Sequence, residues 1–231
     1  MNTVELHTIP LKQDANKVAQ LRQTLSDKEI ERANRFLFVE HQRRFIIAHG
    51  MMRQILSEYI GGSPESVRLG TNSNGKPFLM QANHRDTWSF SLSYSADLAV
   101  LAICRGAEIG VDIEWRRLDR SFLAMARRYF FPGETHHLSE LQGDRLVEEF
   151  YRIWTLKESW LKASGIGLAG LKIIEIVPDR DHCFDVRIHH KNLLNTIVIP
   201  TDTFQWRFFD TLPGYTGCYT RLNSSQTVST I

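Results

Sequence analysis

Two stretches of the chain repeat apolar residues at helical spacing and then stop at glycine. In the first, from about Val39 to Tyr59, Phe45, Ala48, Met52, Ile55, Leu56 and Tyr59 recur three or four residues apart, and Gly61-Gly62 ends the run. In the second, Glu148 to Ala163 has the same character and ends at Ser164-Gly165. Phe45 to Leu56 before Gly61-Gly62 parallels Phe150 to Leu161 before Gly165, and in each half shorter alternating segments follow, which suggests a duplicated αβ unit. Helices interleaved with strands that close by hairpins call for an α+β fold, a pair of similar lobes, and not a doubly wound parallel sheet.

The intervening segments fill in the pattern. Ser26-Asp27 with Glu29 predicts a helix start, and Ile30, Ala33 and Leu37 give the stretch Lys28 to Phe38 an apolar side. Val67 to Leu69 and Lys76 to Leu79 flank a turn at Asn72-Ser73-Asn74-Gly75. Trp88 to Leu92 and Leu98 to Cys104 read as a hairpin around Ser95-Ala96-Asp97, and Glu108 to Trp115 as a third strand. A helix is expected over Leu123 to Tyr129, then a break with exposed aromatics at Phe130-Phe131-Pro132-Gly133-Glu134. Further strands are expected over Lys172 to Val177, Cys183 to Ile188, Thr196 to Ile199, Phe204 to Phe209 and Gly217 to Arg221. The expected division is a first lobe over 1–117, a second over 118–222, and a frayed tail over 223–231.

Charge and composition exclude several classes. The chain has 231 residues, 42% of them hydrophobic and 10% aromatic, enough for a buried core and too many for disorder. A formal net charge of +2 demands neither a nucleic acid nor a membrane as partner. A local excess does exist: Arg22, Lys28, Arg32, Arg35, Arg43, Arg44 and Arg53 face Asp27, Glu29, Glu31 and Glu40, a net of three positive charges on a short amphipathic region. That region fits a solvated face or an anion-binding surface. The longest apolar run, Leu98 to Cys104, is strand length, far below the roughly 20 residues of a membrane span. The start, Met1-Asn2-Thr3-Val4-Glu5, lacks a basic and an apolar segment, and Cys104, Cys183 and Cys218 form no paired spacing. A cytoplasmic protein with reduced thiols is expected. The phosphate loop G-x-x-x-x-G-K-[ST] and the G-x-S-x-G nucleophile turn are both missing.

The chemistry concentrates in two places. On a strand over Ile109 to Trp115, Asp112 and Glu114 share a face, opposite Val111 and Ile113. Two adjacent carboxylates repel unless a cation neutralises them, and oxygen ligands without Cys or His suit Mg²⁺. This segment alone fits either a cation site or an edge strand with a solvated acidic face. On the helix Trp154-Thr155-Leu156-Lys157-Glu158-Ser159-Trp160-Leu161-Lys162, Glu158 and Lys162 lie one turn apart. Joined to the strand pair they would supply a third carboxylate and a cation for phosphate oxygens, a set suited to a diphosphate ligand.

Three pieces in this order, Gly75-Lys76-Pro77, Gly110-Val111-Asp112-Ile113-Glu114 and Trp154-x-x-Lys157-Glu158-x-x-x-Lys162, resemble the 4′-phosphopantetheinyl transferases of the monomeric two-lobed type. The likeness runs from about Ser26 to Arg221, with Phe90-Ser91-Leu92-Ser93-Tyr94-Ser95 where that family has Asn-x-Ser-His-Ser. It implies transfer of phosphopantetheine from coenzyme A to a serine of an acyl or peptidyl carrier protein, with release of adenosine 3′,5′-bisphosphate. It implies Mg²⁺ on Asp112, Glu114 and Glu158, catalysis by Glu158 and Lys162, and Lys162 on the coenzyme A phosphates. It further implies Lys76 and Pro77 near the adenine, Arg44 with Ser93 near the 3′-phosphate, Arg32 as a phosphate contact, and Phe130-Phe131 facing the carrier. Tyr94 stands at the family's phosphate-touching histidine, Ser91 at its usual asparagine, and Glu29 where relatives often carry lysine. Tyr can still donate a hydrogen bond there, but it carries no positive charge near neutral pH. Two other readings use the same residues: a Mg²⁺-dependent phosphoesterase on a diphosphate, or a non-catalytic carrier-binding module.

Overall fold

The seven-residue apolar run Leu98 to Cys104 lies in a strand buried on both faces. β5 (Leu98–Arg105) turns Ala99, Leu101 and Ile103 to one core and Leu98, Val100, Ala102 and Cys104 to another. It is the middle strand of a three-stranded antiparallel sheet, between β1 (Val4–Pro10) and β4 (Trp88–Ser95). Ser95 pairs with Leu98, so the hairpin turns on Ala96-Asp97, as expected. The computed structural model describes residues 3–80, 88–178, 184–189, 204–209 and 211–223.

β6 (Ala107–Trp115) follows β5 after a single residue, Gly106, yet pairs with β10 (Tyr215–Asn223), which in turn pairs with β9 (Phe204–Phe209). The first sheet therefore ends at Arg105, and the division expected at 117 runs after a strand whose partners belong to the second sheet. The reason is β6's own sequence. Ile109, Val111 and Ile113 turn one face to Val100, Ala102 and Cys104 of β5, so the strand stacks against the first sheet instead of extending it.

The two long helices are each 22 residues, α3 (Val39–Ile60) and α6 (Gly143–Ser164), and each stops at a glycine of positive φ, Gly61 or Gly165. α3 lies with α1 (Ala15–Gln23) and α2 (Asp27–Asn34) over the first sheet. α6 lies across β6 and β10, and Gly110 is what lets it approach. A Cβ at Gly110 would sit 2.0 Å from the Ser159 carbonyl oxygen and 2.3 Å from the Ala163 amide nitrogen. Two small hairpins complete the described chain: β2 (Leu69–Thr71) with β3 (Pro77–Leu79), and β7 (Ile174–Pro178) with β8 (Phe184–Ile188). The α+β architecture with two lobes is as the sequence suggested.

Several local expectations need correction. The helix expected over Lys28 to Phe38 ends at Asn34, and Leu37 is 94% exposed instead of facing the core. The capping box of Ser26 and Glu29 holds the start, but the chain turns at Arg35 and Phe36 to enter α3. The aromatic break at Phe130 to Glu134 is the beginning of a helix, α5 (Pro132–Ser139), which follows α4 (Phe122–Tyr129). Pro132 occupies the first helical turn, where its missing N–H costs nothing. Phe130 is buried and stacks on Phe150, and Phe131 stacks on His189. Cys104 and Cys218 are buried thiols; Cys183, the strand at Thr196 to Ile199 and the tail beyond Asn223 lie outside the described residues.

Lys157, from the strongest helical motif, is fully buried and holds the second lobe together. Its ammonium lies 2.8 Å from Glu134 and donates to the Ile174 carbonyl at 2.6 Å, with the Phe130 and Phe131 rings beside it. The Glu134 carboxylate also accepts the amides of Phe131 and Ile176, both at 2.6 Å. Burial pushes both groups towards neutrality and their mutual attraction resists it. Replacing Lys157 by Met strands the carboxylate and is expected to lower the unfolding free energy by about 3–5 kcal/mol in urea titrations. Arg35→Met, which breaks the exposed Glu31 pair, is expected to lower it by under about 1 kcal/mol.

Candidate active site

The two lobes meet along a row of serines. Residues Ser89, Ser91, Ser93 and Ser95 alternate along β4, so their hydroxyls share one face, opposite Phe90 and Leu92. That face meets one edge of β6. The amides of Ile109, Val111, Ile113 and Trp115 donate to Ser89, Ser91, Ser93 and Ser95 at 3.3, 3.1, 3.4 and 3.1 Å. Three of the hydroxyls also reach an acidic side chain one residue back on β6. Ser89 approaches Glu108 at 3.4 Å, Ser93 donates to Asp112 Oδ1 at 2.8 Å, and Ser95 to Glu114 Oε2 at 2.7 Å. At Ser91 the corresponding residue is Gly110, where α6 passes.

Because α6 rides directly over Gly110, its last turns bring Glu158 and Lys162 to the same acidic face. Lys162 Nζ donates to Asp112 Oδ1 at 2.7 Å and to Ser93 Oγ at 2.9 Å. Asp112 and Glu158 are buried, and each keeps one carboxylate oxygen, Oδ2 and Oε1, without a hydrogen-bond partner. Burial, with the negative charge of Asp112 next and that of Glu114 behind it, drives Glu158 up to about 7 against the pull of Lys162. Burial and Asp112 likewise raise Glu114. Three neighbouring carboxylates, two with a buried oxygen left over, have the donor chemistry for a hard divalent cation. Among the described residues, however, no three acidic, His or Cys side chains are drawn together tightly enough to grip an ion as they stand, and Lys162 takes up Asp112 Oδ1.

A cleft of about 420 Å³ opens beside this cluster, between the two lobes. Glu158 and Lys162 line it from α6, Arg32 from α2, His49 from α3, Lys76 and Pro77 from the β2–β3 hairpin, and Ser91 and Tyr94 from β4. The hairpin is tied down at its tip. Asn72 Oδ1 accepts the amides of Asn74 and Lys76 at 2.9 and 2.8 Å, while Asn72 and Asn74 both donate to the Gly165 carbonyl at the end of α6. His49 is held at one nitrogen by Glu29 at 3.1 Å and stacks on Phe45 at 3.9 Å. Burial would raise Glu29, but hydrogen bonds from His49 and Ser26, with Arg53 beside them, bring it down to about 2. The acid found where relatives often carry lysine is thus committed inside the first lobe.

Residues 108–212 match the model of the 4′-phosphopantetheinyl transferase superfamily, and residues 11–105 match that of the 4′-phosphopantetheinyl transferase N-terminal region. The chain is 40% identical over 173 residues to the 4′-phosphopantetheinyl transferase HetI of Nostoc sp., covering 75% of this chain and 73% of that protein. It is 29% identical to the 4′-phosphopantetheinyl transferase psf-1 of Bacillus pumilus, over 72% of this chain and 69% of the relative. To the 4′-phosphopantetheinyl transferase of Bacillus subtilis it is 27% identical, over 67% and 66%. The chain belongs to the 4′-phosphopantetheinyl transferase superfamily. It is an enzyme of phosphopantetheinyl transfer.

In this transferase the structure brings together most of the residues singled out from sequence. Asp112, Glu158 and Lys162 meet; Arg32, Lys76, Pro77 and Tyr94 line the same cleft. Lys76 is anchored there by an ion pair with Glu108 and by the Ala163 carbonyl at 2.7 Å. Arg44, Glu114 and Ser93 do not line the cleft. Arg44 pairs with Glu40 and Asp97 at 2.6 and 2.7 Å and lines a separate cavity with Glu114 and Arg120, not the cleft. Ser93 is buried, and its hydroxyl is committed to Asp112, Lys162 and the Ile113 amide. Of the basic residues over 22–53, only Arg32 lines the cleft; Arg53 is buried against Glu29, and Arg35 pairs with Glu31. Sequence reasoning missed His49, Ser95 and the serine row, although the spacing Ser89-x-Ser91-x-Ser93-x-Ser95 was a visible signal of hydroxyls on one strand face.

The raised carboxyl has a consequence for stability. A group with a folded-state value of about 7 and an ordinary value of 4.5 keeps its proton in the folded chain over a range where the unfolded chain has released it. Its contribution is therefore full below pH 4.5 and is lost as pH climbs to about 7. Thermal melts of the transferase in EDTA are expected to show a fall in Tm across this range, and Glu158→Gln to flatten it. An equal fall in both proteins would deny Glu158 the role.

Proposed function

We propose that this transferase moves the 4′-phosphopantetheine group from coenzyme A to a serine hydroxyl of an acyl or peptidyl carrier protein and releases adenosine 3′,5′-bisphosphate. The observation that carries this reading is the buried pair Asp112 and Glu158, each with an unpartnered oxygen, beside Lys162 on the wall of an interlobe cleft. Coenzyme A lies in that cleft, with Lys76 and Pro77 toward its adenine and Arg32 and Tyr94 on its phosphates. His49 joins them as a cleft residue. Arg44 and Ser93 are left out of this ligand set, because Arg44 lines a different cavity and the Ser93 hydroxyl is committed to Asp112, Lys162 and the Ile113 amide. The lobes divide at Gly106, where one sheet gives way to the other. The enzyme acts as a cytoplasmic monomer, and no helix of the described chain is long and apolar enough to cross a membrane.

Asp112, Glu114 and Glu158 would hold Mg²⁺. Held by those residues, the cation would supply positive charge against the diphosphate oxygens. The chain's own residues do the rest. Lys162 offers its ammonium to the phosphate oxygens as negative charge builds on the leaving group. Glu158, whose Oε1 has no hydrogen-bond partner, takes the proton of the carrier serine as its oxygen bonds to the β-phosphorus. The bond from that phosphorus to the oxygen of the α-phosphate breaks, and adenosine 3′,5′-bisphosphate departs with the electron pair. The cleft walls set coenzyme A in line for this displacement, and positioning of that kind accounts for much of a phosphoryl transfer rate.

The test is intact-mass spectrometry of an apo carrier protein incubated with the enzyme, coenzyme A and Mg²⁺. The expected result is a gain of one phosphopantetheine, lost with EDTA and with Asp112→Ala. Glu158→Gln is expected to bind coenzyme A and to lower transfer by at least about 100-fold. Coenzyme A cleaved without a carrier would instead make the site a phosphoesterase. Neither gain nor cleavage across fatty-acid, polyketide and peptide carriers would leave a binding module.

A further inference from the structure

We propose that Ser93 and Ser95 are positioning residues for the transfer: their hydroxyls fix the rotation of the Asp112 and Glu114 carboxylates, so the serine row is part of the reaction apparatus as well as the seam between lobes. This rests on the reading that those carboxylates hold a divalent cation.

The argument is an accounting of hydroxyl protons and lone pairs. A serine hydroxyl has one proton to give and two lone pairs to accept with. Ser93 accepts the Ile113 amide and the Lys162 ammonium and gives its proton to Asp112 Oδ1, so all three capacities are used. Ser95 accepts the Trp115 amide and gives its proton to Glu114 Oε2. Each serine thus ties one named oxygen of its carboxylate. In Asp112 the tied oxygen carries both Ser93 and Lys162, which leaves Oδ2 buried and unpartnered as the atom available to a cation. A carboxylate free to rotate would exchange its two oxygens and lose that arrangement.

The row carries its own control. Ser91 makes the same backbone contact, from the Val111 amide at 3.1 Å, but faces Gly110 and has no carboxylate to hold. If the serines served the seam alone, Ser91, Ser93 and Ser95 would be equivalent in everything except their contribution to stability. If Ser93 and Ser95 also orient ligands, they separate from Ser91 in cation affinity. Groups that orient a metal's ligands are typically worth 10–100-fold in affinity.

The experiment is Mn²⁺ titration by electron paramagnetic resonance on the full chain with neither coenzyme A nor carrier protein present, so that nothing turns over and Ser91, which lines the coenzyme A cleft, is compared on cation affinity alone. Ser93→Ala and Ser95→Ala are expected to weaken Mn²⁺ binding by about 10-fold or more, Ser91→Ala by less than about threefold. Ser95→Thr, which keeps the hydroxyl, is expected to retain affinity within about threefold. Asp112→Asn and Glu114→Gln set the reference for lost ligands. Serine variants that bind like the wild type while these two fail would overturn the proposal, as would Ser91→Ala losing as much as Ser93→Ala. Wild-type affinity in Asp112→Asn and Glu114→Gln would instead defeat the metal reading itself. Should Ser93→Ala fail to fold, Ser95→Ala at the outer end of the row decides the matter alone.

Discussion

The contact between the serine face of β4 and the edge of β6 is the interaction on which the rest of the molecule depends. A strand edge normally satisfies its amides with the backbone of a neighbouring strand. Here four amides of β6 find side-chain hydroxyls instead, so the second sheet can begin where the first ends without the two merging. The arrangement demands a residue with both a donor and an acceptor on a short stem, at every second position, and serine meets all three requirements. It also demands that the opposite face of β4 stay apolar, which Phe90 and Leu92 satisfy.

A second constraint makes the first useful. Gly110 interrupts the acidic face of β6 at the one position where a side chain would have met the backbone of α6. The helix therefore settles closer to the strand than two ordinary surfaces allow, and the gap between Glu108 and Asp112 becomes the seat of Ser159 and Ala163. Glu158 and Lys162 are carried to the carboxylates by that descent. The burial that raises Glu158, with the charge of Asp112 adding to it, and that leaves two carboxylate oxygens unpartnered is a product of backbone packing.

Much of this was legible in the sequence, and the rest was hidden for identifiable reasons. The helices α3 and α6 announced themselves because long periodic runs with glycine stops have few alternatives. The association of Asp112 with Glu158 and Lys162 was legible because motif order and strand alternation both pointed to it. What alternation cannot state is which neighbour a strand chooses, so β6 was placed with the first lobe on proximity alone. Arg44 could not be told from Arg32 by charge or spacing; only the positions of Asp97 and Glu40 decide that its guanidinium is engaged away from the cleft. Phe130 and Phe131 read as exposed because Pro132 signals a helix start as readily as a break. Lys157 read as part of a reactive motif, yet its partner Glu134 lies in a helix that the sequence did not reveal.

The serine seam also bears on how the enzyme moves. Many two-lobed enzymes admit their substrates by swinging apart about a hinge, a motion that needs a weak boundary between the halves. In this chain the boundary is crossed by four hydrogen bonds in register from backbone amides to serine hydroxyls, and the two buried ones, at Val111 and Ile113, would each cost about 1–3 kcal/mol if left unmet. Opening there would also strip Asp112 and Glu114 of their serines at the moment of binding. The lobes should therefore travel as one rigid body, with adaptation to the incoming substrate confined to the side chains of Arg32 and Tyr94 at the mouth of the cleft.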